Sequence, residues 1–295
     1  MDNLCHSLVG LALARAGGTR WTPRATATMV LGANLPDLDA VFAFAPAGLM
    51  IRRGITHGLP ALVILPLLLT AAVLAWERWR PGASPPVPQR IVALAAIGVW
   101  SHPTLDWLNT YGMRWLMPCD GTWFYGDALF IVDPWLLGML GLGAWLARRR
   151  RAPWPARVAL GAAAAYIMAM LWFTAGVRRE VQEAATVAAE DVLVSPVFAA
   201  SWRRTVVVAR PERYELGRYD AMVRPALQLG ESAIPRGREH AAAVIRSTEP
   251  RARAFLGWAR FPFYRREGAQ VVADDVRYST GGPSFARVVV PALTP

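Results

Sequence analysis

The sequence predicts a mainly α-helical, polytopic membrane domain followed by a small α+β soluble domain, and three observations carry that reading. Long charge-free runs occupy residues 1–177, arginines flank those runs unequally, and after Val177 the chain turns to short Val- and Tyr-rich segments separated by charge. With 54% hydrophobic residues the chain is too apolar for disorder, and two cysteines are too few for a disulfide-rich scaffold or a cysteine-based zinc module. The net charge of +11 comes from 32 arginines and no lysine against 21 acids. Such basicity invites a nucleic-acid reading, so the placement of the arginines matters more than their number.

Leu4–Ala16 and Ala25–Leu35 are apolar but too short to span comfortably, which predicts a packed or re-entrant helical hairpin. A signal peptide is the alternative for the first of them, but it lacks a basic start and a convincing cleavage site. Leu59–Trp76 is an uncharged run of 18 residues, about 27 Å as a helix. Val158–Val177 is a second uncharged run, of 20 residues. Ile91–Leu108 carries Ser101, His102, Thr104 and Asp106, and Ala128–Ala147 carries only Asp133. These four predict transmembrane helices, because a core helix of a soluble protein seldom stays apolar on every face. The Pro-rich stretch Pro81–Pro88 reads as a loop. In the tail, Glu180–Asp191, Glu239–Arg246 and Pro250–Arg260 read as helices. Arg203–Arg210, Tyr214–Asp220, Gln270–Ser279 and Ser284–Val290 read as strands. The domains expected are 1–177 and 178–295.

The predicted spans alternate direction and so define two faces. One face collects Arg15, Arg20, Arg24, Arg78, Arg80, Arg90, Arg148, Arg149, Arg150, Arg151 and Arg157; the loops of the other hold only Arg52, Arg53 and Arg114. The positive-inside rule puts the first face in the cytoplasm, and the tail outside. Arg178 and Arg179 fall on the wrong side for that rule. The basicity thus becomes a topology signal and the nucleic-acid reading lapses.

Seven of the eight acids in residues 1–177 are aspartates, all on the arginine-poor face; Glu77 alone lies opposite. His6, His57 and His102 join them. Ionisable groups at membrane depth are costly and mark functional sites. Imidazole with carboxylate is a ligand set for zinc or another divalent transition metal. His102 and Asp106, at i and i+4, can serve one ion from one helix face. Asp37 and Asp39 follow Pro36 in a turn. Both could bind, or one could bind while the other orients a histidine. Thr56 is a candidate N-cap before the helix that follows His57. Asp133-Pro134 reads as an ordinary helix start. Asp120 and Asp127 read as solvated loop residues and His240 as a solvated tail residue. Arg53, and less so Arg114, could bind a phosphate or a lipid head group. Cys5 and Cys119 share the outer face, which leaves a disulfide open.

The succession CHSLVG at 5–10, LPDLD at 35–39, RRGITHG at 52–58, SHPTLDWLNTYG at 101–112 and WLMP at 115–118 resembles the YdjM-like family of bacterial inner-membrane proteins. That family is described as membrane-bound metal-dependent hydrolases. The resemblance covers about residues 1–140 and implies a helical domain holding a metal with His6, Asp37 or Asp39, His57, His102 and Asp106, in the manner of zinc-dependent phospholipase C. Gly58 and Arg52 stand where many relatives carry Ser and His, so no ligand is expected at position 52.

The expectation is a metallohydrolase at the outer face of the inner membrane, cleaving a lipid or lipid-linked phosphodiester or ester. His6, His57, His102 and one of Asp37 or Asp106 would be ligands, the remaining carboxylate the general base, and Arg53 the partner of a substrate phosphate. The tail could gate access or bind a protein partner. The rival is a non-enzymatic scaffold with a structural metal. A transporter would need ionisable groups continuing across the membrane, and here they stop at one face.

Overall fold

The computed structural model describes residues 1–81, 85–279 and 284–293. The chain divides into two compact units: Met1–Asp39 with Arg53–Trp172, and Ala40–Arg52 with Phe173–Pro295. The first unit is helical. Its elements are α1 (Asn3–Ala16), α2 (Ala25–Asn34), α4 (Ala61–Trp79), α5 (Pro88–Trp107), α6 (Pro134–Arg149) and the greater part of α7 (Trp154–Ala185); the short α3 (Gly48–Ile51) belongs to the second. Helix α1 packs on α2 and α6, and α5 on α2 and α4. Glycines allow the close approaches: a Cβ on Gly98 of α5 would lie 2.8 Å from the Met29 carbonyl oxygen of α2, and one on Gly10 of α1 2.7 Å from the same oxygen. Cys5, Val9 and Ala12 of α1 meet Leu105 and Leu108, and Leu136 and Leu140 of α6, in one buried cluster.

The short hairpin α1–α2 is present as the sequence predicts. Of the four expected spans, α4 and α7 are each long and apolar enough to cross a membrane. Only 17% of the apolar window of α7 is buried, so most of that surface faces outward. Helix α6 has 16 residues because residues 128–133 are not helical; Asp133 caps it instead, accepting from Leu136 N–H at 3.0 Å. Helix α5 has 20 residues but gives part of its length to His102 and Asp106, both buried. The loop expected at Pro81–Pro88 lies partly outside the described residues. Glu77, the lone acid among the arginines, is buried and paired with Arg24.

The second unit holds two antiparallel sheets. Strands β1 (Val192–Val197), β2 (Ala200–Ala209), β3 (Arg213–Asp220) and β4 (Leu227–Pro235) form one in that order. Strands β5 (Pro262–Glu267), β6 (Gln270–Asp275) and β7 (Val288–Pro291) form the other. Alternation sorts the first sheet's faces. Val192, Val194, Val206 and Val208 pack on Val177 and Val181 of α7, while Leu193, Val207 and Ala209 pack on Phe261, Phe263 and Val276. Tyr214 Oη donates to the Pro262 carbonyl at 2.8 Å and ties β3 to β5; burial pushes its hydroxyl pKa up to about 12. Helices α8 (Ala241–Ile245), α9 (Pro250–Trp258) and α10 (Val276–Ser279) complete the unit.

Several tail expectations are corrected. Gln270–Ser279 is a strand only to Asp275, where the carboxylate accepts from Arg277 N–H and Nε and turns the chain into α10. Ser284 is held outside β7 by its bonds to Asp274. The helix predicted at Glu180–Asp191 ends at Ala185, and β1, β4 and β5 were not anticipated.

Candidate metal centre

Local chain chemistry delivers four side chains to one point. Leu35 keeps helical angles, φ −60° and ψ −38°, against the expectation that Pro36 would exclude them. Pro36 instead has no N–H to continue the helix, and α2 gives way to a 3-10 turn over Leu35–Phe42 that buries both Asp37 and Asp39. The turn at 54–58 places His57, whose N–H donates to the Gly54 carbonyl. One turn of α5 presents His102 and Asp106 side by side, and Pro103 is accommodated within that helix.

Asp37, His57, His102 and Asp106, all buried, each bring one ligand atom to within 4.8 Å of the others. The two Nε2 atoms are 3.1 Å apart. Asp106 Oδ2 lies 3.6 Å from His57 Nε2 and 3.5 Å from His102 Nε2. Asp37 Oδ1 lies 3.7 Å from each Nε2. A tetrahedral ion with bonds of 2.0–2.1 Å separates its ligands by about 3.3 Å, so these edges fit the donor set to a zinc-like centre.

The surrounding groups fix ring orientation. His102 Nδ1 donates to the Ala33 carbonyl at 2.6 Å, which leaves Nε2 as a lone-pair donor. His57 Nδ1 lies 2.9 Å from Thr56 Oγ1 and 3.3 Å from Asp39 Oδ2. That same Asp39 oxygen accepts from Thr56 Oγ1 at 2.9 Å and from Arg53 N–H at 2.8 Å. Thr56 is therefore an orienting hydroxyl; Pro60 occupies the cap position of α4 in its stead.

Arg53 is 2% exposed. Its Nε lies 2.8 Å from Asp106 Oδ2, and Nη1 donates to Asn109 Oδ1 at 3.0 Å and to the Gly112 carbonyl at 2.9 Å, with the guanidinium over Tyr111. These contacts to its own protein occupy the group that the sequence offered to a substrate anion. Arg53 also stands at φ 52°, a left-handed backbone that glycine adopts more cheaply. His6 stacks on His102 with ring centroids 3.7 Å apart. Its Nε2 approaches the other oxygen of Asp106, Oδ1, at 3.3 Å; that oxygen also meets the Met1 amino group. Neither ring nitrogen of His6 has a hydrogen bond. His6 thus borders the four convergent groups without being one of them.

Sequence reasoning missed Asn109 and the Ala33 carbonyl. The first stands in the same motif as Asp106, three residues on, and was legible; a backbone carbonyl leaves no sequence signal. Gly58, noted only as a departure from relatives, is required here: a Cβ would fall 2.3 Å from the Met117 carbonyl oxygen. Other candidates lie apart from the cluster. Asp133 caps α6 and accepts from Tyr166 Oη at 3.0 Å. Asp120 accepts from Thr122 in an exposed turn. Asp127 is fully buried, against the expectation of a solvated loop residue. Arg114 is buried over Trp123. His240 neighbours Glu239 in the tail. Cys5, buried, and Cys119, exposed, are both free thiols, so no disulfide joins them.

A helical unit with span-length apolar helices and a buried aspartate–histidine tetrad defines a membrane protein able to hold a divalent metal ion. The chain belongs to the YdjM inner membrane protein family, which matches residues 1–177 and so includes every residue of the tetrad. No curated protein and no solved structure matches the chain.

Proposed function

We propose that this protein is a membrane-embedded metal-dependent hydrolase, and the tetrad of Asp37, His57, His102 and Asp106 is the observation that carries the proposal. In this reading α5 and α6 cross the membrane with α4 and α7, and the tail lies outside the cytoplasm. His57 Nε2, His102 Nε2 and Asp106 Oδ2 hold the ion, with edges of 3.1–3.6 Å. Asp37, at 3.7 Å from both histidines and on a 3-10 turn rather than a helix, is the general base. A zinc-like ion at this position supplies Lewis acidity and lowers the pKa of water towards 7. Asp39 and the Ala33 carbonyl keep the imidazoles in the ligating tautomer, Arg53 fixes Asp106, and His6 backs His102.

A lipid or lipid-linked ester or phosphodiester is the substrate class. Leu38, Ile55 and Leu59 are each more than half exposed beside Asp37, Asp39 and His57, so the chain around the centre offers apolar surface to an acyl chain. The near-complete burial of all four groups favours a second reading, a closed structural site with four protein ligands. Asp37→Asn separates the two. A catalytic base predicts bound metal near the wild-type level with hydrolysis of fluorogenic phosphodiester or ester lipids lost. A fourth structural ligand predicts metal lost, and no activity in the wild type.

A further inference from the structure

About 14 Å along α1 from His6, at the helix's other end, the first unit carries a cleft of about 360 Å³. Arg15, Arg20, Arg148 and Arg151 line it together with Gly17 and Thr19, and no carboxylate does. Among the described residues none of these four arginines forms an ion pair. Arg15 Nη1 is spent on the Ala144 carbonyl of α6. The C-termini of α1 and α6 offset only about half a charge each. Part of that is used internally, since Arg151 N–H donates to the Arg148 carbonyl and Ala152 N–H to the Ala147 carbonyl. Arg151 makes this closure at φ 51°, where glycine or asparagine is the usual residue. Four like charges around one cleft, one of them on a strained backbone, are suited to hold an anion.

The neighbouring tryptophans say where that anion resides. Trp145 and Trp154 are about half exposed, with Arg149 over the first ring at 5.3 Å and Arg150 over the second at 5.1 Å. Exposed indoles paired with arginine mark the level of lipid head groups. We infer that this cleft binds the head group of an anionic phospholipid, its phosphate held by Arg15, Arg20, Arg148 and Arg151. The site uses none of the residues of the metal centre and stands whether or not that centre is catalytic.

Native mass spectrometry of the purified full chain, titrated with phosphatidylglycerol, phosphatidylcholine or inorganic phosphate, tests the inference. Phosphatidylglycerol binds the wild type at least about tenfold more tightly than phosphatidylcholine, and Arg20→Gln/Arg148→Gln/Arg151→Gln weakens it at least about tenfold. Arg78→Gln/Arg80→Gln/Arg90→Gln removes the same charge outside the cleft and leaves binding within about twofold. Equal weakening by both triple variants means diffuse attraction only and overturns the inference, as does no weakening by either. Displacement of the lipid by millimolar inorganic phosphate overturns it in favour of a soluble-anion site. Should the first triple variant not purify, Arg151→Gln alone, at an exposed position, weakens phosphatidylglycerol binding about fivefold, and an unchanged affinity counts against the cleft.

Discussion

His57 and His102 face each other through Nε2 because their other ring nitrogens already have partners, Thr56 and Asp39 for one ring and the Ala33 carbonyl for the other. Removing either imidazole leaves only two of the three proposed ligands, too few to hold an ion. His102→Ala is expected to lose bound metal entirely, whereas His240→Ala, in the tail, keeps it; elemental analysis of purified protein reads the difference. Asp39→Asn removes an orienting charge but no ligand, so metal affinity should fall by about 10–100-fold, measured by competition with a chromogenic chelator. In the tail, Tyr214→Phe leaves the Pro262 carbonyl without its donor. The melting temperature of the full chain should fall by an amount equivalent to about 1 kcal/mol. At this scale the sequence named all four members of the tetrad by residue type and spacing. It could not say that Asp39 orients while Asp37 converges, nor that Arg53 is buried against Asp106. Those distinctions depend on the 3-10 turn after Pro36 and on the packing of the 105–112 segment.

At the scale of elements, the centre depends on how closely α5 lies against α2. Gly98 sits one turn before His102, and the Ala33 carbonyl that holds His102 belongs to α2. Gly98→Leu should drive the helices apart, costing about 1–3 kcal/mol, and should release the metal together with that stability. Gly161→Leu, where a Cβ would meet nothing within 4 Å, should change neither; thermal denaturation with metal analysis of both variants checks the pair. Helix positions in the first unit were legible because apolar runs ending in arginine or proline mark them. Helix α6 was overextended because Ala128–Val132 is apolar, and only the Asp133 cap shows where the helix begins. In the tail β1 and β4 escaped notice: Pro196 interrupts one, and Gly230, at φ 76°, the other, so neither shows clean alternation.

Across the whole molecule, charge asymmetry and the aspartate–histidine face make one account. Arginines gather where the proposed topology has the cytoplasm, and the tetrad gathers at the opposite helix ends. With Cys119→Ser removing the exposed native thiol, Glu239→Cys should react with a membrane-impermeant maleimide on intact spheroplasts. Labelling only after permeabilisation would reverse the orientation and place the centre at the cytoplasmic face. The composition changes after Val177, whereas the two compact units divide within α7, between Trp172 and Phe173. The inclusion of Ala40–Arg52 in the second unit was not legible, since that grouping is long-range and leaves no local pattern.

The most direct measurement is the metal content of the protein purified without chelators, determined for the wild type and His102→Ala in parallel. The account predicts about one equivalent of a zinc-like divalent ion in the wild type and none in the variant. Less than about a tenth of an equivalent in the wild type, or equal metal in both proteins, would contradict it.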